Sequence, residues 1–337
     1  MLNNNSQNRI RNMLIIFILA VLFVPLLSGC AQKPKVYRVG IVSGLPPFAT
    51  MTDGFIAAMA ELGYIEGENI VYDTHLLDPD PDQIQEVLDG FVADKVDLIF
   101  VLPTEAALLA KAATAETDIP VVFAMAGLEG TDLVDSVRQP GGNITGVRYP
   151  GPELTVRRFE ILNEMTPHLS RLYISYRQTY PANRIALEEL HSVAEASGIT
   201  LVEVPLASVE DLEADLQARA AADDIGMDAI LIMPDDITQS PDGWPLISQF
   251  AAEHKIPIGG SAAFEADTGA VFSYINENIT TGKLAAPLAD KIFKGTPAGT
   301  IPVVTPESEL RINYKLAQGL GLTVSEGLLS QATEIIR

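Results

Sequence analysis

The sequence predicts an α/β protein of two similar lobes, each a parallel sheet covered by helices. Short apolar runs alternate with stretches of helical apolar spacing along the whole chain beyond residue 35, which is the rhythm of βαβ units. One such unit also occurs twice. Asp97-Leu-Ile-Phe-Val-Leu-Pro103 matches Asp228-Ala-Ile-Leu-Ile-Met-Pro234, and each is followed by a polar helix start and then by an Ile-Pro strand, at Ile119-Pro120 and Ile256-Pro257.

The elements follow in order. A strand at 36–42 leads to a helix at 53–62, with Phe55, Ile56, Met59 and Leu62 on one face and Gly63 as the residue that ends it. A strand at 69–76 precedes an amphipathic helix at 82–94, marked by Ile84, Val87, Leu88 and Phe91. A wholly apolar strand at 98–102, a helix at 104–116 and a strand at 121–123 complete the first run. The rhythm restarts after the glycine-rich stretch 139–146, with helices at 153–165, 181–197, 209–222 and 244–254 and strands at 172–176, 200–204, 229–233 and 256–259. The tail adds a strand at 270–274, a helix at 279–293, strands at 301–304 and 310–313 and a helix at 314–320. That is too little for a third domain. We expect lobe 1 over 36–147 and 273–303 and lobe 2 over 148–272 and 304–337, with three crossovers near 147, 273 and 304.

The N-terminus reads as an export signal. Arg9 and Arg11 precede an apolar run from Met13 to Leu27, which is shorter than the ~20 residues that span a bilayer. Leu27-Ser28-Gly29-Cys30 resembles the bacterial lipobox, which implies cleavage after residue 29, lipidation of Cys30 and a tether at 30–35. Cys30 is the one cysteine, so no internal disulfide forms. Residues 1–29 hold two Arg and no acidic residue, so beyond them Lys+Arg is 20 against 44 Asp+Glu, a formal charge of −24. Such a body repels nucleic acid, whose phosphates need Lys and Arg.

Signals for chemistry are weak. Gly259-Gly260-Ser261-Ala262-Ala263 lacks the closing glycine of a nucleophile elbow. His75, His168, His191 and His254 stand apart, without metal-ligand spacing. There is no P-loop and no dinucleotide fingerprint, and no cofactor is expected. In α/β sheets ligands sit at the carboxyl ends of strands. That rule selects Ser43, Thr104, Met125, Tyr176, Asp235, Asp236 and Ser261. Thr104 is expected to cap its helix, Phe48 to form an aromatic wall, and Tyr176 and Tyr180 either to stack on a ligand or to cover the lobe edge.

Several stretches together resemble one family. They are Gly54-Phe55, the segment 61–67, Ile119-Pro-Val-Val-Phe123, Gln139-Pro-Gly-Gly-Asn-Ile-Thr-Gly146, the Asp236 loop, Lys294-Gly295-Thr-Pro297, Ile301-Pro302, and Asn313 with 317–322. The chain is similar to substrate-binding proteins of ABC transporters, some of which bind aromatic amino acids. The resemblance implies a type I periplasmic-binding-protein fold, with ligand between two lobes joined by three crossovers. It also implies that Asp236 holds an ammonium group, and placement after equivalent Pro-ended strands sets Thr104 opposite it, on a polar or anionic group. Residues 124–127 and 176–183 depart from the family pattern, so the specificity of relatives does not carry over.

The expectation is a monomeric, lipid-anchored protein that binds a small ligand such as an amino acid and delivers it to an ABC permease. Two alternatives are a ligand-sensing lipoprotein that docks on a membrane receptor and a secreted α/β hydrolase. The second lacks a nucleophile with a base.

Overall fold

A computed structural model describes residues 35–44, 48–78 and 80–337. The proposed signal segment, Cys30 and the tether through residue 34 lie outside the described residues, as do residues 45–47 of the loop before Phe48.

The first sheet is fully parallel, in the order β2-β1-β3-β4-β5. Its strands are β1 (Tyr37–Ser43), β2 (Ile70–Leu76), β3 (Leu98–Leu102), β4 (Val121–Ala126) and β5 (Ile144–Arg148). The helices between them are α1 (Ala49–Glu61), α2 (Pro81–Ala93) and α3 (Thr104–Ala113). All five residues of β3 are buried. A central parallel strand with helices on both faces has no solvent side, hence its unbroken apolar run. One core lies on each face of this sheet, one around Phe55, Phe100 and Leu288, the other around Leu88, Phe91 and Phe123.

The second sheet runs β12-β11-β10-β9-β8-β6-β7. After α4 (Gly151–Met165) come β6 (Arg171–Arg177), α5 (Pro181–Ala196), β7 (Thr200–Leu206), α6 (Val209–Ala220) and β8 (Ala229–Leu231). Then follow α7 (Gly243–His254), β9 (Ile258–Gly260), α8 (Ala263–Thr268) and β10 (Phe272–Ile275). These strands are parallel.

The chain then returns to the first lobe. Helix α9 (Asn278–Phe293) crosses α1 at glycines. A Cβ on Gly54 would overlap the Ile279 carbonyl, and one on Gly282 the Met51 carbonyl, so these backbones meet only because neither position has a side chain. The short turn Ala298–Thr300 packs Gly299 on Gly141 and Gly142, and Gly141 N donates to Gly299 O at 3.0 Å. The final pass adds β11 (Glu309–Asn313), antiparallel to β10, then α10 (Tyr314–Gly319), α11 (Glu326–Gln331) and β12 (Glu334–Ile336).

The α/β architecture in two lobes agrees with the sequence reading. Three details differ. The stretch 139–146 leads into a strand, β5, which its glycines disguise. The strand expected at 301–304 is a single bridge from Val304 to Val147, because Pro302 removes a ladder donor. The return expected at 273 comes later, since β10 pairs with β9 and β11 in the second sheet and the chain leaves only after Ile275.

Candidate ligand site between the lobes

The carboxyl ends of the strands in both sheets face one cleft, and the two sides touch. Gly130, in the loop after β4, has φ +71°, and a Cβ there would lie 2.9 Å from Ile185 Cδ1 on α5. The positive φ favors glycine, and a side chain would press on the end of Ile185. Arg148 ties the crossings together at the end of β5. Its Nη1 donates to Glu129 beside that loop (2.9 Å), its Nη2 to Glu153 on the first turn of α4 (2.6 Å), and its Nε to Thr305 on the third crossing (2.9 Å).

On the first-lobe side, Ser43 ends β1 and is buried. Phe48 precedes α1 and packs, half-buried, on the core beneath. Met125 takes φ +55° at an irregularity of β4, where the ladder to β5 shifts register, and it too rests half-buried on that core. Thr104 is not the cap. Pro103 holds that position, and Thr104 Oγ1 accepts from Gly127 N at 3.0 Å, fixing the loop after β4 to the start of α3.

On the second-lobe side, neither Asp235 nor Asp236 begins a helix, because α7 starts only at Gly243. Asp235 is 7% exposed. Its Oδ1 accepts from Ile237 N, Thr238 N and Thr238 Oγ1, and its Oδ2 from Arg177 N at 2.9 Å. That carboxylate braces the turn against β6. Asp236 is exposed and paired with the Arg177 guanidinium through both oxygens, with Nη2 to Oδ2 at 2.9 Å. Tyr176 turns toward the edge of the sheet, where its hydroxyl donates to Glu203 Oε2 at 3.3 Å and Glu203 also meets His191 of α5. It packs on the core below α5 rather than standing free to stack. Ser261 Oγ accepts from Gln239 Nε2 at 2.9 Å, and its N–H donates to Glu265.

Tyr180 is where the lobes meet electrostatically. Burial raises its hydroxyl pKa, and the carboxylates of Glu105 from the first lobe and Asp236 and Asp235 from the second, with the Tyr149 hydroxyl, raise it further. Carboxylates of both lobes thus act on one hydroxyl, with Asp236 offset by its pairing to Arg177. Glu265 is fully buried and its carboxyl is also raised by burial, against hydrogen bonds from Gln239, Ala262 N and Ser261 N and the charge of Arg158.

Sequence reasoning missed Glu105, Asn183, Arg158 and Asn276. Asn183, on the first turn of α5, is 1% exposed with neither amide atom partnered. Asn276, after β10, leaves Oδ1 buried and unpartnered. Arg158 did leave a signal, because it falls on the apolar stripe of α4 with Leu154, Leu162 and Met165, where a charge is out of place.

A family model described as ABC transporter substrate binding protein matches residues 38–336. The chain belongs to this family. Members bind solutes outside the cytoplasm and are not enzymes, which removes the hydrolase alternative. Among described residues no helix is long and apolar enough to cross a membrane. A tyrosine-binding protein of Clostridioides difficile (strain R20291) is 28% identical over 333 residues, 93% of each chain. A conserved domain protein of Vibrio cholerae O1 biovar El Tor has a crystal structure with TM-score 0.75 at 26% identity, covering 89% of this chain and 100% of that one. A Streptococcus pneumoniae ABC domain in complex with L-Trp has TM-score 0.73 at 24% identity, covering 90% and 100%, and shows the same fold.

Proposed function

We propose that this substrate-binding protein takes an amino acid with an aromatic side chain between its lobes and delivers it to an ABC permease, while Cys30 holds it to the membrane by acyl chains. The observation that carries the ligand reading is the half-buried Tyr180, whose hydroxyl feels the carboxylates of Glu105 from the first lobe and of Asp235 and Asp236 from the second. Carboxylates brought from both lobes to one half-buried point favor an ammonium group. Ser43, Phe48, Thr104 and Met125 form the proposed first-lobe wall, with Tyr180, Asp236 and Ser261 opposite. The 28% identical tyrosine-binding relative supports an aromatic side chain on the ligand.

A thermal-shift panel of L-tyrosine, L-tryptophan, L-phenylalanine, L-leucine, glucose and myo-inositol tests the class. A ligand at ~100 times its Kd adds about 2.7 kcal/mol. A shift with the sugars alone sinks the reading. For the anchor, Cys30→Ser should release the protein from the membrane fraction of an expressing bacterium. Equal membrane retention of that variant counts against lipidation.

A further inference from the structure

We propose that Arg158 receives the carboxylate of the ligand, and that the unpartnered amide of Asn183 and the open Oδ1 of Asn276 complete the polar set that meets it. This deepens the amino-acid reading above and rests on it. Arg158 is 1% exposed. Of its five donors, Nε alone is shown donating, to Tyr274 O at 2.8 Å, and Nη1 is buried without a partner. Glu265, the carboxylate that acts on it electrostatically, is engaged by Gln239 and by the N–H groups of Ser261 and Ala262, and Nη1 reaches neither of its oxygens. A buried guanidinium with so incomplete a shell is costly unless an anion completes it.

Its position fits such a partner. Helix α4 starts at the first crossing, and helical side chains lean toward the helix N-terminus. Tyr274 is the penultimate residue of β10, directly before the second crossing. The guanidinium thus lies at the carboxyl edge of the second sheet, where α/β proteins take ligands. Asn276 stands two residues beyond Tyr274 and is held by Nδ2 donating to Glu307 O and Ser308 Oγ, which leaves its Oδ1 as an open acceptor. Asn183 adds a donor and an acceptor from α5. An α-amino acid presents the complementary set, a carboxylate for cationic and amide donors and an ammonium for amide acceptors.

The test is calorimetric titration of the full-length protein with L-tyrosine, L-leucine and tyramine, which lacks the carboxylate. The wild type should prefer L-tyrosine to tyramine by about 100-fold, the scale of a desolvated charge pair. Arg158→Gln should weaken L-tyrosine by about 30-fold or more yet leave tyramine within about threefold, and Arg158→Lys should fall between. Equal wild-type affinity for tyramine and L-tyrosine overturns the proposal, as does an Arg158→Gln variant that binds L-tyrosine normally or loses both ligands equally. If the wild type takes L-leucine instead and Arg158→Gln abolishes it, the aromatic reading fails while Arg158 stands. If neither amino acid binds, both fail. Should Arg158→Gln not fold, the wild-type ratio and Arg158→Lys decide.

Discussion

Asp235 and Asp236 are adjacent and chemically identical, yet the fold gives them different work. Asp235 is buried and accepts from three backbone N–H groups and a hydroxyl. Asp235→Ala strands those donors and should cost about 2–3 kcal/mol, read from the urea midpoint at constant slope. Asp236 has a side chain 68% exposed and one ion pair, so Asp236→Ala should stay within about 1 kcal/mol. A reversed order would show that the turn is braced otherwise. Glu265 adds a pH signature. Burial holds its carboxyl above the ordinary 4.5, so the folded state keeps the proton more tightly than the unfolded chain. Its contribution is fully present below the unfolded value and is lost as pH rises through the folded one. Stability of Glu265→Gln minus wild type should therefore climb with pH from about pH 4 upward. A flat difference from about pH 4 to 8 refutes the shift.

At the scale of elements, the α1–α9 crossing is the test of how the returning chain joins the first lobe. Gly282→Ala sets a methyl against the Met51 carbonyl and should cost about 1–3 kcal/mol in chemical denaturation. Gly319→Ala, at the end of α10 with open space around it, should be neutral or gain up to about 1 kcal/mol. Equal effects would mean that the crossing is loose. Helices and strands with strong apolar periodicity were legible in the sequence, α2 and β3 among them, because that pattern is local. Strand β5 was hidden by its glycine, and α11 and β12 by their shortness.

For the whole molecule, closure is the property to measure. The Gly130–Ile185 contact and the Arg148 cluster belong to a form in which the lobes touch. Arg148→Gln loosens the ties to Glu129, Glu153 and Thr305 and shifts the equilibrium toward the open form. Small-angle scattering should then show a larger radius of gyration without ligand than wild type, and apparent affinity should fall severalfold, up to about tenfold for 1.4 kcal/mol. Identical scattering curves would mean that Arg148 does not hold the lobes.

The α/β class and the repeated βαβ unit were legible in residue order, since apolar periodicity and turn residues such as Gly141 and Gly142 act within a few residues of themselves, and the family was legible through the resemblance of several stretches. Which polar groups are spent and which are open follows from contacts between distant segments. Arg177 meets Asp236 across 59 positions and Thr104 meets Gly127 across 23. Each of these two expected ligand contacts also has a partner within the protein, while Arg158, Asn183 and Asn276 are left short of partners. A side chain's partner depends on contacts closed by the whole fold, and no local pattern carries that information.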